Sequence, residues 1–130
     1  MKNVFFSYAL GDELAARELR ANLHNMEVAG WMDESDIAAG DAISKNIRES
    51  LQRASAVIVL VSERSLNSPW VQFELGAAEG MGKTIIPVLI GPEGIEGKLP
   101  EWLQGLSYVD GRAQPYQKVA TEVERALSEE

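Results

Sequence analysis

SAVIVLVS, residues 55–62, decides the fold. A strand with one face in water alternates apolar and polar side chains. This run does not alternate: six apolar residues, most of them β-branched, follow one another between two serines. Such a strand is covered on both faces, as in a parallel sheet packed between helices. The flanks should then be helical, and their patterns agree. Upstream, Ile43, Ile47 and Leu51 step by four, which predicts an amphipathic helix over 42–53. Downstream, ERSLN leads into SPWVQFELGAAEGMGK (68–83). There Ser68 suits a helix N-cap, Pro69 suits the first helical position, and Gly80 and Gly82 suit the stop.

Farther out the alternation continues. TIIPVLI (84–90) reads as a strand in which Pro87 weakens an interior position and favours an edge or a bulge. GPEGIEGKLPEWLQG (91–105) reads as a long loop with one helical turn near Trp102. LSYVD (106–110) is a marginal last strand, and 115–128 a closing amphipathic helix. Toward the N-terminus, GWM (30–32) is a brief strand followed by the polar loop DESDIAAGD (33–41). NVFFSY (3–8) is the first strand, after which Gly11 and Asp12 open a helix carrying Leu14, Leu19, Leu23 and Met26. Strands alternating with helices predict an α/β, flavodoxin-like three-layer sandwich: a five-stranded parallel sheet in the order 2-1-3-4-5 with helices on both faces. Ligands of such sheets bind beyond the carboxyl ends of the strands, at the switch point between strands one and three. Those strands end at Ser7-Tyr8 and at Ser62.

One side chain violates the pattern of the 68–83 helix. At about 100° per residue, Trp70, Glu74, Ala78 and Met81 share one arc, with Val71 and Leu75 on one side and Phe73 and Ala77 on the other. Glu79 falls on the opposite, polar face. Burying an unpaired carboxylate costs several kcal/mol, so Glu74 requires a partner, a cleft or a raised pKa. An ion pair with Arg or Lys in the core would satisfy that requirement as well as an active site would.

Composition limits the chemistry. With 130 residues the chain suits one domain, 1–130, with one core. It has no cysteine, so no disulfide, thiolate metal site or thiol nucleophile is available. Its one histidine, His24, reads as a surface residue, and no metal centre is expected. A net charge of −8 argues against a nucleic-acid surface. The apolar runs are too short to span a bilayer, and MKNVFFSYALGDE turns polar too soon for a signal peptide, so a cytoplasmic location without membrane contact is expected. GMGKT (80–84) lacks the first glycine of a phosphate-binding loop and ends a helix where that loop would begin one. A phospho-acceptor receiver domain needs acidic residues where Ser7-Tyr8 and Ser62-Glu63 stand.

Taken in order, VFFSYALGD, GWMDESDIAAGD, AVIVLVSERSLNSPW and the W-x-x-x-E run WVQFE resemble a bacterial Toll/interleukin-1 receptor (TIR) domain over residues 3–127. Many members of that family cleave NAD+ at the nicotinamide–ribose bond. The resemblance implies Glu74 as the catalytic carboxylate and Trp70, Tyr8, Ala9, Leu10 and Gly40 as parts of the substrate pocket. Lys45, Arg48 and Arg64 are candidates to meet the pyrophosphate. NAD+ would be a substrate, with no further cofactor, and the product ADP-ribose or a cyclic form, in bacterial defence signalling or as a toxic effector. Other members only self-associate as adaptors, and a deoxyribosyltransferase-like enzyme uses a glutamate on a related sheet. Ala39 stands before Gly40 where many relatives carry proline, and the cysteine that precedes the glutamate in some members is absent. Family members often act as ordered assemblies, which implies specific activity that rises with concentration and falls on substitution of Asp36 or Gly40.

Overall fold

A computed structural model describes residues 2–32 and 45–129. The predicted loop 33–41, with Asp36 and Gly40, lies outside the described residues. Five parallel strands, β1 (Lys2–Ser7), β2 (Val28–Met32), β3 (Ala56–Val61), β4 (Thr84–Leu89) and β5 (Val109–Asp110), form one sheet in the order β2-β1-β3-β4-β5. The described helices are α1 (Glu13–His24), α2 (Lys45–Arg53), α3 (Glu63–Leu66), α4 (Pro69–Gly80), α5 (Glu101–Gln104) and α6 (Tyr116–Ser128). The expected fold class and strand order therefore hold.

The two sides of the sheet follow from the period-2 geometry of strands. Val4, Phe6, Ile58, Leu60, Ile86 and Val88 pack with Ala16, Leu19 and Leu23 of α1 and with Val119, Val123 and Leu127 of α6. Phe5, Val57, Val59, Val61, Ile85 and Leu89 pack with Ile47 and Leu51 of α2 and with Val71, Leu75 and Ala78 of α4. All six residues of β3 are buried, as the unbroken apolar run requires. Burying one such side chain contributes about 1.5–3 kcal/mol before entropy is charged.

Several local expectations change. Leu14 does not join the inner stripe of α1; it is exposed, and Ala16, Leu19 and Leu23 form that stripe instead. Met26 lies beyond the end of α1 yet packs against its cluster. β2 begins two residues before Gly30. The residues ERSL are a separate short helix, α3, with a reciprocal cap between Ser62 and Ser65. The loop 91–105 holds two turns, a 3-10 helix Ile95–Lys98 and α5. Pro87 sits in β4 opposite Val59 of β3, but β5 pairs only with Val88 and Leu89. The strand is thus interior in the order yet has no β5 partner at Pro87, where a missing N–H costs least.

Candidate active site

α4 forms where its caps predict. The Ser68 side chain accepts from the Val71 N–H at 3.2 Å, Pro69 occupies the first turn, and Gly82 beyond the end has a φ of 71°. The inner face of the helix carries Val71, Glu74, Leu75 and Ala78. Glu74 is 1% exposed, so the carboxylate that broke the apolar pattern is indeed inside.

Its partner comes from the other side of the switch point. Ser7, the last residue of β1, is itself wholly buried and lies in register with Val59 of β3. The Ser7 hydroxyl donates to Glu74 Oε1 at 2.9 Å, across 67 residues of chain. The sequence held a signal for this contact. Ser7 follows Phe5 on the side of β1 that packs into the buried α2–α4 layer, so a hydroxyl there needs a buried acceptor.

The chain leaving β1 runs directly over the carboxyl end of the sheet. Ala9 is buried and its carbonyl accepts from the Asp12 N–H at 2.8 Å, which closes the 3-10 turn Leu10–Asp12. Leu10 projects into solvent at 74% exposure. Tyr8 is buried on the other side, in the cluster beneath α1 and α6, so its ring and the Glu74 carboxylate lie on opposite faces of the sheet. Trp70, one turn before Glu74, is half-buried against the α2–α4 cluster and stacks on Phe73 with ring centres 5.6 Å apart. Of the expected pocket residues, Glu74 meets the end of β1 through Ser7, Trp70 lies one turn before it on α4, and Ala9 and Leu10 follow β1 directly in the chain; Gly40 lies outside the described residues.

A second polar cluster ties the two sides of this corner together. Asp12 is buried and accepts from the Ser62 hydroxyl at 2.5 Å and from Arg64 Nη1 at 3.1 Å. Ser62 also accepts from the Ser65 N–H at 3.1 Å as the cap of α3. The Arg64 side chain lies across Gly11, where a Cβ would come within 2.6 Å of Arg64 Cδ. Sequence reasoning gave Asp12 and Ser62 no role beyond ending and starting elements; only the fold brings residues 50 apart into contact. Of the basic candidates, Arg64 lies at this corner, Arg48 is exposed on α2, and the Lys45 side chain is outside the described residues. Tyr116 at the start of α6 has its pKa raised, first by burial and then by the charges of Glu18 and Asp12. Among the described residues no three His, Asp or Glu side chains gather in a metal-binding group.

The TIR domain family profile matches residues 4–127. The chain is 33% identical over 90 residues to the NAD(+) hydrolase TcpC of Escherichia coli O6:H1, an alignment covering 65% of this chain and 29% of that protein. It is 33% identical over 89 residues to the 2' cyclic ADP-D-ribose synthase BtTIR of Bacteroides thetaiotaomicron, covering 65% of this chain and 31% of that one. The chain therefore spans under a third of the length of these relatives. Among solved structures it resembles the TIR domain of the Toll-related receptor TRR-2 from Hydra magnipapillata, with a TM-score of 0.74 and 21% identity over 96% of this chain and 97% of that one. It also resembles a metazoan TIR-STING receptor from C. gigas, with a TM-score of 0.75 and 23% identity over 96% of this chain and 39% of that one. These likenesses agree with the strand order 2-1-3-4-5. By its sequence profile, which runs almost from end to end, the chain belongs to the TIR domain family.

Proposed function

We propose that the chain cleaves NAD+ at the nicotinamide–ribose bond, with Glu74 as the catalytic residue. The observation that carries this reading is a buried carboxylate at the β1–β3 switch point, where sheets of this kind take their ligands. The names of two relatives, an NAD(+) hydrolase and a cyclic ADP-D-ribose synthase, support the substrate class.

The chemistry asks little of the protein beyond one negative charge. Nicotinamide leaves NAD+ as a neutral base, taking the electron pair of the C1′–N bond. The ribose is left as an oxocarbenium-like cation, as in glycoside cleavage. A fixed carboxylate in a site of low dielectric stabilises that cation as it forms. Water then adds to C1′ and its proton passes to solvent, giving ADP-ribose. An adenine nitrogen or a hydroxyl of the same molecule adding in place of water gives a cyclic form. Trp70, with Ala9, Leu10 and Gly40, would bound the pocket; Tyr8 would contribute through its backbone, because its ring packs on the other face. Arg64 would meet the diphosphate.

The partners in this reading are NAD+ and further copies of the chain, without nucleic acid or membrane, in a cytoplasmic role in bacterial defence. None of the described helices is long and apolar enough to cross a membrane. The alternative, an adaptor that self-associates without catalysis, draws on Leu10 and Leu14, both mostly exposed near the same corner.

Chromatography of NAD+ incubated with concentrated purified protein tests the proposal. Nicotinamide should appear with ADP-ribose or its cyclic form, and Glu74→Gln should abolish it. Self-association without NAD+ loss would overturn the enzyme reading in favour of the adaptor.

A further inference from the structure

We infer that Ser7 is a positioning residue for the Glu74 carboxylate, an inference that rests on the NAD+-cleaving reading. The layer between β1, β3 and α4 is built of Phe5, Val57, Val59, Val61, Val71, Leu75 and Ala78. Ser7 and Glu74 are the two buried polar side chains these three elements contribute to it, and they meet each other at 2.9 Å. Packing does not require them. An apolar pair of similar volume would fill the same space at equal or greater stability, because a buried charge carries a desolvation cost that its contacts barely offset.

What the pair supplies is an oriented anion. A glutamate side chain has three torsions, and an unrestrained one would sample several rotamers. Ser7 has one hydroxyl proton, and its donation to Oε1 fixes one carboxylate oxygen relative to the end of β1. The end of β1 is also where the Tyr8–Leu10 stretch begins, so the carboxylate and this wall of the proposed pocket share one rigid reference. A donor to the ionised form also favours that form, which keeps the negative charge present when the ribosyl cation develops.

Among the described residues, the charged groups on the elements packed around this pair are these. β1 contributes Lys2, at its far end and bonded to the Leu127 carbonyl, while β3 and β4 contribute no titratable side chain. On α3, Glu63 pairs with Lys98 and Arg64 with Asp12. On α4 the other carboxylate, Glu79, is exposed, and α2 carries Lys45, Arg48, Glu49 and Arg53.

The test is steady-state NAD+ cleavage across pH by the parent, Glu74→Gln, Ser7→Ala, Ser7→Cys and Ser7→Thr, with a thermal melt of each. Ser7→Ala should lower kcat roughly ten- to a hundredfold, the worth of one hydrogen bond to a charged group, with KM changed less than about threefold. The acid limb of kcat/KM should move to higher pH, because losing a donor to the charged form raises the pKa of the carboxylate. Ser7→Cys, close in volume but a weak donor, should behave like Ser7→Ala and carries the test if the alanine variant does not fold. Ser7→Thr keeps the hydroxyl and should recover most of kcat. Folded Ser7→Ala or Ser7→Cys protein with the kcat and acid limb of the parent would overturn the role, as would a loss confined to KM. A parent without NAD+ cleavage, or a fully active Glu74→Gln, would instead bring down the catalytic reading itself, and this role with it.

Discussion

Glu74 and Glu79 stand five residues apart on α4 and face opposite ways, the first buried against the sheet and the second in solvent. Five steps of about 100° put them roughly 140° apart on the helix, so one helix presents a wet and a dry carboxylate. The amide of Glu74→Gln can still accept from the Ser7 hydroxyl but brings no charge. We expect NAD+ cleavage to fall at least about a hundredfold while stability changes by less than about 1 kcal/mol. Glu79→Gln should leave both within error, about 0.5 kcal/mol in stability. Melting curves measured beside turnover check the pair; loss of several kcal/mol in Glu74→Gln with turnover kept would mean that the carboxylate is structural.

Two glycines should respond oppositely to the same added methyl group. A Cβ on Gly30 of β2 would lie 2.4 Å from Phe6 Cε2, inside the α1-side core, and 2.9 Å from Arg20 Cγ. Gly30→Ala should therefore destabilise by about 1–3 kcal/mol through overpacking. At Gly76 on the exposed side of α4 a Cβ would meet nothing within 4 Å. Gly76→Ala should stabilise by about 0.5–1 kcal/mol, by lowering the entropy of the unfolded chain. Urea titrations of both variants, with the slope unchanged, measure these shifts.

Lys83, in the turn between α4 and β4, closes a helix to which it does not belong. Its Nζ donates to the carbonyls of Gln52 at 2.8 Å and Ala54 at 3.0 Å, at the C-terminal end of α2. Those carbonyls lack partners within their helix, and the positive charge also suits the negative end of the helix dipole. Lys83→Met keeps the stem and removes the donor. It should cost about 1 kcal/mol and raise hydrogen exchange in the last turn of α2 before it does so elsewhere.

Acid should find one weak point at the end of the sheet. Hydrogen bonds from the Arg112 side chain and backbone N–H lower the Asp110 pKa from 3.8 to about 2. A depressed carboxylate pKa adds stability that is complete above the unfolded value and lost as pH falls through the folded one. The loss should therefore run from about pH 4 down to about pH 2. The Asp110 side chain is 48% exposed, so solvent screening caps the contribution at about 1 kcal/mol. Asp110→Asn should flatten the stability curve over that window and match the parent's slope above it.

The fold was legible because β3 and the caps of α4 are local signals. Six consecutive apolar residues in Ala56–Val61 need cover on both faces, and Ser68-Pro69 needs only its own helix to be read. The position of Glu74 on the inner side of α4 was equally local. Its partner was not: Ser7 is one serine in a short strand until the sheet order brings β1 beside β3. Leu14 was misplaced because a stripe of leucines at helical spacing leaves open where the stripe is centred, and Ala16 takes the inner position. The Tyr8 ring went to the opposite face because successive residues of an extended strand point to opposite sides.

The link from Ser62 to Asp12 has a meaning in folding kinetics. It joins the corner after β3 to the corner after β1, 50 residues earlier, and needs the pairing of Ser7 with Val59 before its two ends can meet. A contact that depends on sheet pairing already made forms late, after most of the barrier to folding has been crossed. Removing it with Asp12→Ala should leave the refolding rate nearly unchanged and speed unfolding instead. The pin across the switch point thus acts chiefly on how long the native corner lasts once made, and little on how fast the chain finds it.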